Sequence, residues 1–385
     1  MNIAFRTDGS LEIGTGHVMR CLTLAAALRV AGAQCYFICR EHPGNLIAQI
    51  RQRGFAVSVL PAATKALITD ELAVAAQSSY IAWLGADWTT DAAETKVGIG
   101  ETAVDWLVVD HYSIGASWEK VLRPMCRGLM VIDDLADRQH DCDLLLDQNY
   151  YRNQGQRYQG LLPEQCVTLL GPSYVLLRPE FDEARRQLRV RDGIIKRILV
   201  FFGGSDLTNQ TEMALTALEQ LNRQDISVDV VVGLTNPNRH SIQTLCDRLP
   251  YATYHCNVSN MAELILNADL GIGAGGSAMW ERCFLGLPTI TVVLADNQVR
   301  TTEDVAGLGA IEYLGWSDSL EIEDYARAVS DAIANPKRVE QISDAALGVL
   351  HEETTTAVVD AMRNLLQPSS AKLSTDDSPH FIVSA

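Results

Sequence analysis

The histidine of "LEIGTGHVMRC" (residues 11–21) follows two glycines, where a short apolar run, "NIAFRT", gives way to a helical pattern. An imidazole ordinarily titrates near pH ~6.5, so at cellular pH it offers a lone pair that can take a proton from water. His17 stands in a loop where Gly14 and Gly16 let a ligand come close, which makes it a candidate general base. Helix capping or packing is the other role for such a residue. Met19 occupies the third-glycine position of a dinucleotide fingerprint, and the loop begins well past the strand end. Both argue against a nicotinamide or flavin site, although Glu41 lies after the next strand as a ribose-binding acid would.

Two further glycine loops could hold a phosphate. In "FFGGSDLTNQ", Gly203 and Gly204 permit a tight turn into a helix, with Ser205 or Asp206 as the cap; a plain helix cap would look the same. In "LGIGAGGSAMWERCFLGLP", Gly273, Gly275 and Gly276 bring the chain close to a ligand, and Ser277 is placed to cap the helix that follows. Glu281 comes one turn later, where a carboxylate can accept two hydrogen bonds from a ribose diol. A glycine-rich turn followed by a surface glutamate is the plainer alternative. The acidic pair of "DCD", Asp141 and Asp143, has the spacing of a divalent-metal pair, but Asp143 opens a strand and no second ligand set is evident. The loop "VIDDLADRQHDCD" is expected to be solvated or paired with Arg138, and no metal site is expected.

These loops must be positioned by alternating strands and helices. Strands are expected at "NIAFRT", "QCYFICR", "AVSVLP", "DWLVVDHY", "GLMVIDD" and "CDLLLDQN", then at "RILVFF", "VDVVVG", "ATYHC", "LGIGAG" and "PTITVVL". Between the first two, Val18, Cys21, Leu22, Ala25 and Leu28 form a helical stripe that Gly32 stops. The chain of 385 residues suits two α/β domains with parallel sheets, at 1–184 and 197–366, joined by a basic connector at 185–196. The polar end, 367–385, is expected to be a disordered tail. A net charge of -17 argues against nonspecific nucleic-acid binding. No run of 18 apolar residues or signal-like start occurs. Nine cysteines without a Cys-x-x-Cys pair read as reduced thiols of a cytoplasmic protein.

The ordered set "FRTDGS", "IGTGHVMRCLTLA", "VVDHY", "VIDDLADR", "CDLLLDQN", "GPSYVLLRPEF", "FFGGSD" and "GAGGSAMWERCFLGLP…DNQ" resembles the UDP-2,4-diacetamido-2,4,6-trideoxy-β-L-altropyranose hydrolases of pseudaminic acid biosynthesis. The likeness runs from Met1 to the "DNQ" stretch, and the wider relatives are GT-B glycosyltransferases such as MurG. It implies two Rossmann-like domains facing across a cleft. It also implies inverting hydrolysis of the UDP-sugar to the free sugar and UDP, without metal or cofactor. On this resemblance His17 is the base, the diphosphate lies by Gly203, Gly204, Gly276 and Ser277, Glu281 binds ribose, and uracil lies near Val258. The sugar lies near Gly16, Tyr112, Asn297 and Gln298. Arg6, Asp8 and Arg178 have supporting roles, with the Asp8 carboxylate near the oxocarbenium-like transition state. The implied partners are the UDP-sugar and water, with no nucleic acid, membrane or protein partner. Transfer to another acceptor, hydrolysing 2-epimerisation and non-catalytic nucleotide-sugar binding are the competing functions.

Overall fold

The computed structural model describes residues 1–62 and 80–367, so the expected tail beyond Gln367 lies outside the described residues. Two all-parallel sheets form the scaffold. The first contains β1 (Asn2–Thr7), β2 (Gln34–Arg40), β3 (Ala56–Leu60), β4 (Val104–Asp110), β5 (Cys126–Ile132), β6 (Leu144–Asp147) and β7 (Val167–Leu170). The second contains β8 (Arg197–Phe201), β9 (Ser227–Val232), β10 (Ala252–Cys256), β11 (Leu270–Ala274), β12 (Thr289–Val293) and β13 (Glu312–Trp316). The spatial orders are β3-β2-β1-β4-β5-β6-β7 and β10-β9-β8-β11-β12-β13. Central strands such as β12 are buried along their whole length, as parallel strands covered on both faces must be. The two strands that the sequence pattern did not reveal, β7 and β13, are half-exposed edge strands with weaker apolar runs.

Strand order reverses between β1 and β4 in one sheet and between β8 and β11 in the other. A ligand crevice is expected beyond the C-terminal ends of the strands that flank such a switch point. The register sets Thr7 opposite Asp110, so the loop after β1 and the end of β4 share one edge. Gly273 pairs with Phe201 in the same way, bringing the Gly203–Gly204 and Gly275–Gly276 loops side by side.

The helix Gly16–Val30 buries its expected stripe in the first core, and Gly32 closes it at φ +86°. That core also holds Val358, Val359 and Met362 of the last helix, Thr354–Leu366, and Trp106 Nε1 donates to the Met362 carbonyl at 3.1 Å. The expected boundaries therefore need correcting. Leu176 packs in the first core while Val175, Leu177 and Phe181 pack in the second, so the chain crosses over well before residue 185. It crosses back between Leu350 and Val358, because the last helix has an apolar face that only the first domain covers. The basic connector is no free linker. Arg191 is buried and donates to the carbonyls of Ala268, Leu285 and Gly286 in the second domain.

Candidate active site

His17 is the second residue of its helix and is 7% exposed at the wall of a cleft of ≈ 550 Å³ between the two domains. Its Nδ1 lies 2.5 Å from Asp110 Oδ1. An ionised carboxylate only accepts, so Nδ1 carries the proton and Nε2 keeps the basic lone pair. Arg20, one turn further along the helix, grips the same carboxylate with Nε at 2.6 Å and Nη2 at 2.7 Å. Burial alone would raise the Asp110 carboxyl, but Arg20 and His17 hold it well below the usual carboxylate range. Asp110 is therefore a fixed anion, suited to orient the imidazole and to stabilise it when it takes a proton.

The cleft lining contains every residue expected to touch substrate. From the first domain come Gly16, His17 and Tyr112, and from just after the crossover comes Arg178. From the second come Gly203, Gly204, Val258, Gly276, Ser277, Glu281, Asn297 and Gln298. Glycine is needed at residue 204, where the domains meet: a Cβ there would fall 2.7 Å from Thr15 Oγ1, whereas one on Gly16 would make only an ordinary contact with Ser277 Oγ at 3.9 Å. A Cβ on Gly233, at the end of β9, would lie 2.1 Å from the Gly204 carbonyl oxygen. The Gly203–Gly204 loop thus keeps its path only while residue 233 has no side chain.

Several expected roles change in detail. Ser277 occupies the N-cap position without a capping hydrogen bond from its side chain. Asp206 does act as a cap: its carboxylate accepts from the Gln210 and Thr211 amides, both at 2.9 Å. That carboxylate already occupies the helix start, so an anion near Gly203 would have to use the loop amides instead. Glu281 accepts from Arg178 at 3.1 Å, and burial raises its carboxyl against the pull of that guanidinium. Gln298 accepts from the Leu294 amide at 3.0 Å, and Asn297 Nδ2 donates to the Tyr112 hydroxyl at 3.0 Å.

Arg6 and Asp8 do not reach the cleft. Asp8 is fully buried, paired to Arg6 at 2.8 Å and faced by His111 and His42 at 3.4 and 3.6 Å. The Arg6 guanidinium neutralises its charge, so it is not placed to meet a cationic transition state. Asp141 and Asp143 are both held by Arg123, and Arg138 pairs with Asp133 and Asp137. Among the described residues no cluster of His, Cys, Asp or Glu is arranged to hold a metal ion, and no helix is long and apolar enough to cross a membrane.

The motif reading missed Arg20, Asp134 and the aromatic wall of Tyr80 and Trp83. Tyr112 meets His17 edge-on at 4.5 Å between centroids and stacks with Trp83 at 5.8 Å. Asp110 stood inside the quoted "VVDHY" with no role given to it. Arg20 had a local signal: it lies at i+3 from His17, hence on the same helix face.

This geometry defines a two-domain α/β protein of the GT-B kind, its parallel sheets facing across a cleft. Residues 198–365 match the Glycosyltransferase family 28 C-terminal domain. MurG of Acinetobacter baumannii superposes with a TM-score of 0.60 at 15% identity, over 94% of this chain and 99% of that one, which is a likeness of fold. The resemblance in sequence is more particular. The chain is 26% identical over 321 residues to the UDP-2,4-diacetamido-2,4,6-trideoxy-beta-L-altropyranose hydrolase of Campylobacter jejuni, covering 81% of this chain and 99% of that protein. It is 28% identical over 308 residues to an uncharacterized protein of Methanocaldococcus jannaschii, covering 78% of this chain but only 57% of that one.

Proposed function

We propose that the protein hydrolyses a UDP-sugar, and specifically UDP-2,4-diacetamido-2,4,6-trideoxy-β-L-altropyranose, to UDP and the free sugar. The observation that carries this reading is the His17–Asp110 pair on the cleft wall, opposite the glycine loops of the second domain. His17 Nε2 takes a proton from water, and the water oxygen attacks the anomeric carbon on the face away from UDP. The anomeric C–O bond breaks, its electron pair leaves with the β-phosphate oxygen, and the configuration inverts. Backbone amides of the Gly203–Ser205 and Gly276–Ser277 loops hold the diphosphate, Glu281 the ribose, and the Val258 segment the uracil. Tyr112, Asn297 and Gln298 hold the sugar, with Gly16 leaving it room. Binding the nucleotide's Glu281 contact requires Arg178 to share that carboxylate or release it. A reducing compartment, the cytoplasm, fits the nine unpaired thiols.

The match to a glycosyltransferase domain favours one second reading, delivery of the sugar to an acceptor other than water. Proton NMR of the anomeric signal separates the two. Wild-type protein should release the inverted free sugar with no acceptor present, and His17→Ala should slow release by about 10²- to 10⁴-fold. Binding without release would overturn hydrolysis, and turnover on adding an acceptor would then establish transfer. Equal rates for the two proteins would remove His17 from its role.

A further inference from the structure

We propose that Asp134 is a positioning residue that ties the seating of the second domain to the orientation of His17. The proposal rests on the UDP-sugar reading above and adds to it a residue that touches neither the base nor the nucleotide loops.

Asp134 lies beyond the end of β5 and has its two carboxylate oxygens committed to different arms. Oδ2 accepts from Arg20 Nη1 at 3.0 Å and from Asn149 Nδ2 at 3.3 Å. Asn149 in turn accepts from Trp280 Nε1 at 2.9 Å, and Trp280 is fully buried in the helix Ala278–Phe284 that also carries Glu281. Oδ1 accepts from the Tyr112 hydroxyl, which itself accepts from Asn297 Nδ2. Each arm therefore starts in the second domain, at Trp280 or Asn297, and converges on one carboxylate in the first. From Asp134 the connection reaches His17 by Arg20 and Asp110, and by the Tyr112 ring packed edge-on against the imidazole.

The main chain at Asp134 is pinned separately, its carbonyl accepting from Tyr151 at 3.1 Å and Arg157 at 2.6 Å. Its side chain is thus the part free to answer to the second domain. Asp110, Arg20 and Asp134 alternate in charge and are buried, so an altered partner at one end changes the hydrogen bonds available at the other. A buried ionic array is a poor source of stability compared with apolar packing of the same volume. Its use here is to set the orientation of His17 when the domains come together on a ligand.

The test uses the full-length protein with ¹⁵N-labelled histidine and UDP as the probe. In wild type, UDP binding should shift the His17 ring nitrogens. Asp134→Asn, which cuts the connection where its arms meet, should still bind UDP and lose most of that shift. Trp280→Phe, which cuts one of the two arms at its far end, should still bind UDP and reduce the shift. In turnover, both should lower kcat by about 2- to 30-fold with little change in KM. Trp280→Phe keeps an aromatic ring in the core, and so reads the connection even if Asp134→Asn fails to fold. A wild-type His17 signal indifferent to bound UDP, or one that responds equally in both variants, overturns the coupling. Wild-type protein that binds no UDP overturns the nucleotide reading and the coupling together.

Discussion

At the residue scale the centre of the site is one buried carboxylate, Asp110, shared between an imidazole and a guanidinium. The guanidinium is what permits it. Arg20 faces both Asp110 and Asp134, so its positive charge offsets two anions in a place water hardly reaches. Arg20→Met keeps the side-chain volume and removes that charge. It should destabilise the fold by about 3–5 kcal/mol in urea unfolding, because breaking a buried pair strands its partners. A loss below ~1 kcal/mol would mean that water or a rearranged neighbour already compensates Asp110.

At the scale of elements, chemistry collects where strands end. His17 follows β1, Asp110 closes β4, Asp134 follows β5, and Asp147 closes β6. The last of these has a pH signature. Burial and the neighbouring Asp134 charge push the Asp147 carboxyl up to about 7, with Arg157 opposing the shift. In the unfolded chain the same group titrates near 3.8. Between those two values the folded protein holds a proton that the unfolded chain has released. The stability Asp147 contributes is therefore complete below about 3.8 and is lost as pH rises through about 7. Asp147→Asn cannot titrate, so its Tm relative to wild type should move in the variant's favour from pH ~4 to ~8. A difference that stays flat over that range would show that Asp147 is ionised throughout.

At the scale of the molecule, the two domains are joined twice, once near Val175–Leu177 and again where Thr354–Leu366 returns to the first core. The second joint makes the C-terminal helix a structural part of the N-terminal domain. Met362→Ala, at a fully buried position, should cost about 2–5 kcal/mol. Limited proteolysis should then show early cleavage in the first domain. Early cleavage confined to the second domain would contradict the shared core.

The sequence by itself determined the local pieces. Apolar runs marked eleven strands within a few residues of their ends, because buried parallel strands leave little room for polar residues. Glycine placement marked the three loops, and the helical stripe from Val18 to Leu28 put His17 at a helix entrance. Tertiary structure alone decided which distant residues meet. Asp110 reaches His17 across 93 positions because β4, not β2, lies on the switch-point side of β1. Trp280 reaches Asn149 across 131 positions because two sheets face each other. Asp8 sat in a motif beside the site, yet the packing of Arg6, His42 and His111 turned its carboxylate inward. Short-range patterning records what each segment must bury. Strand order and domain contact, set by the fold of the whole chain, record whom it meets.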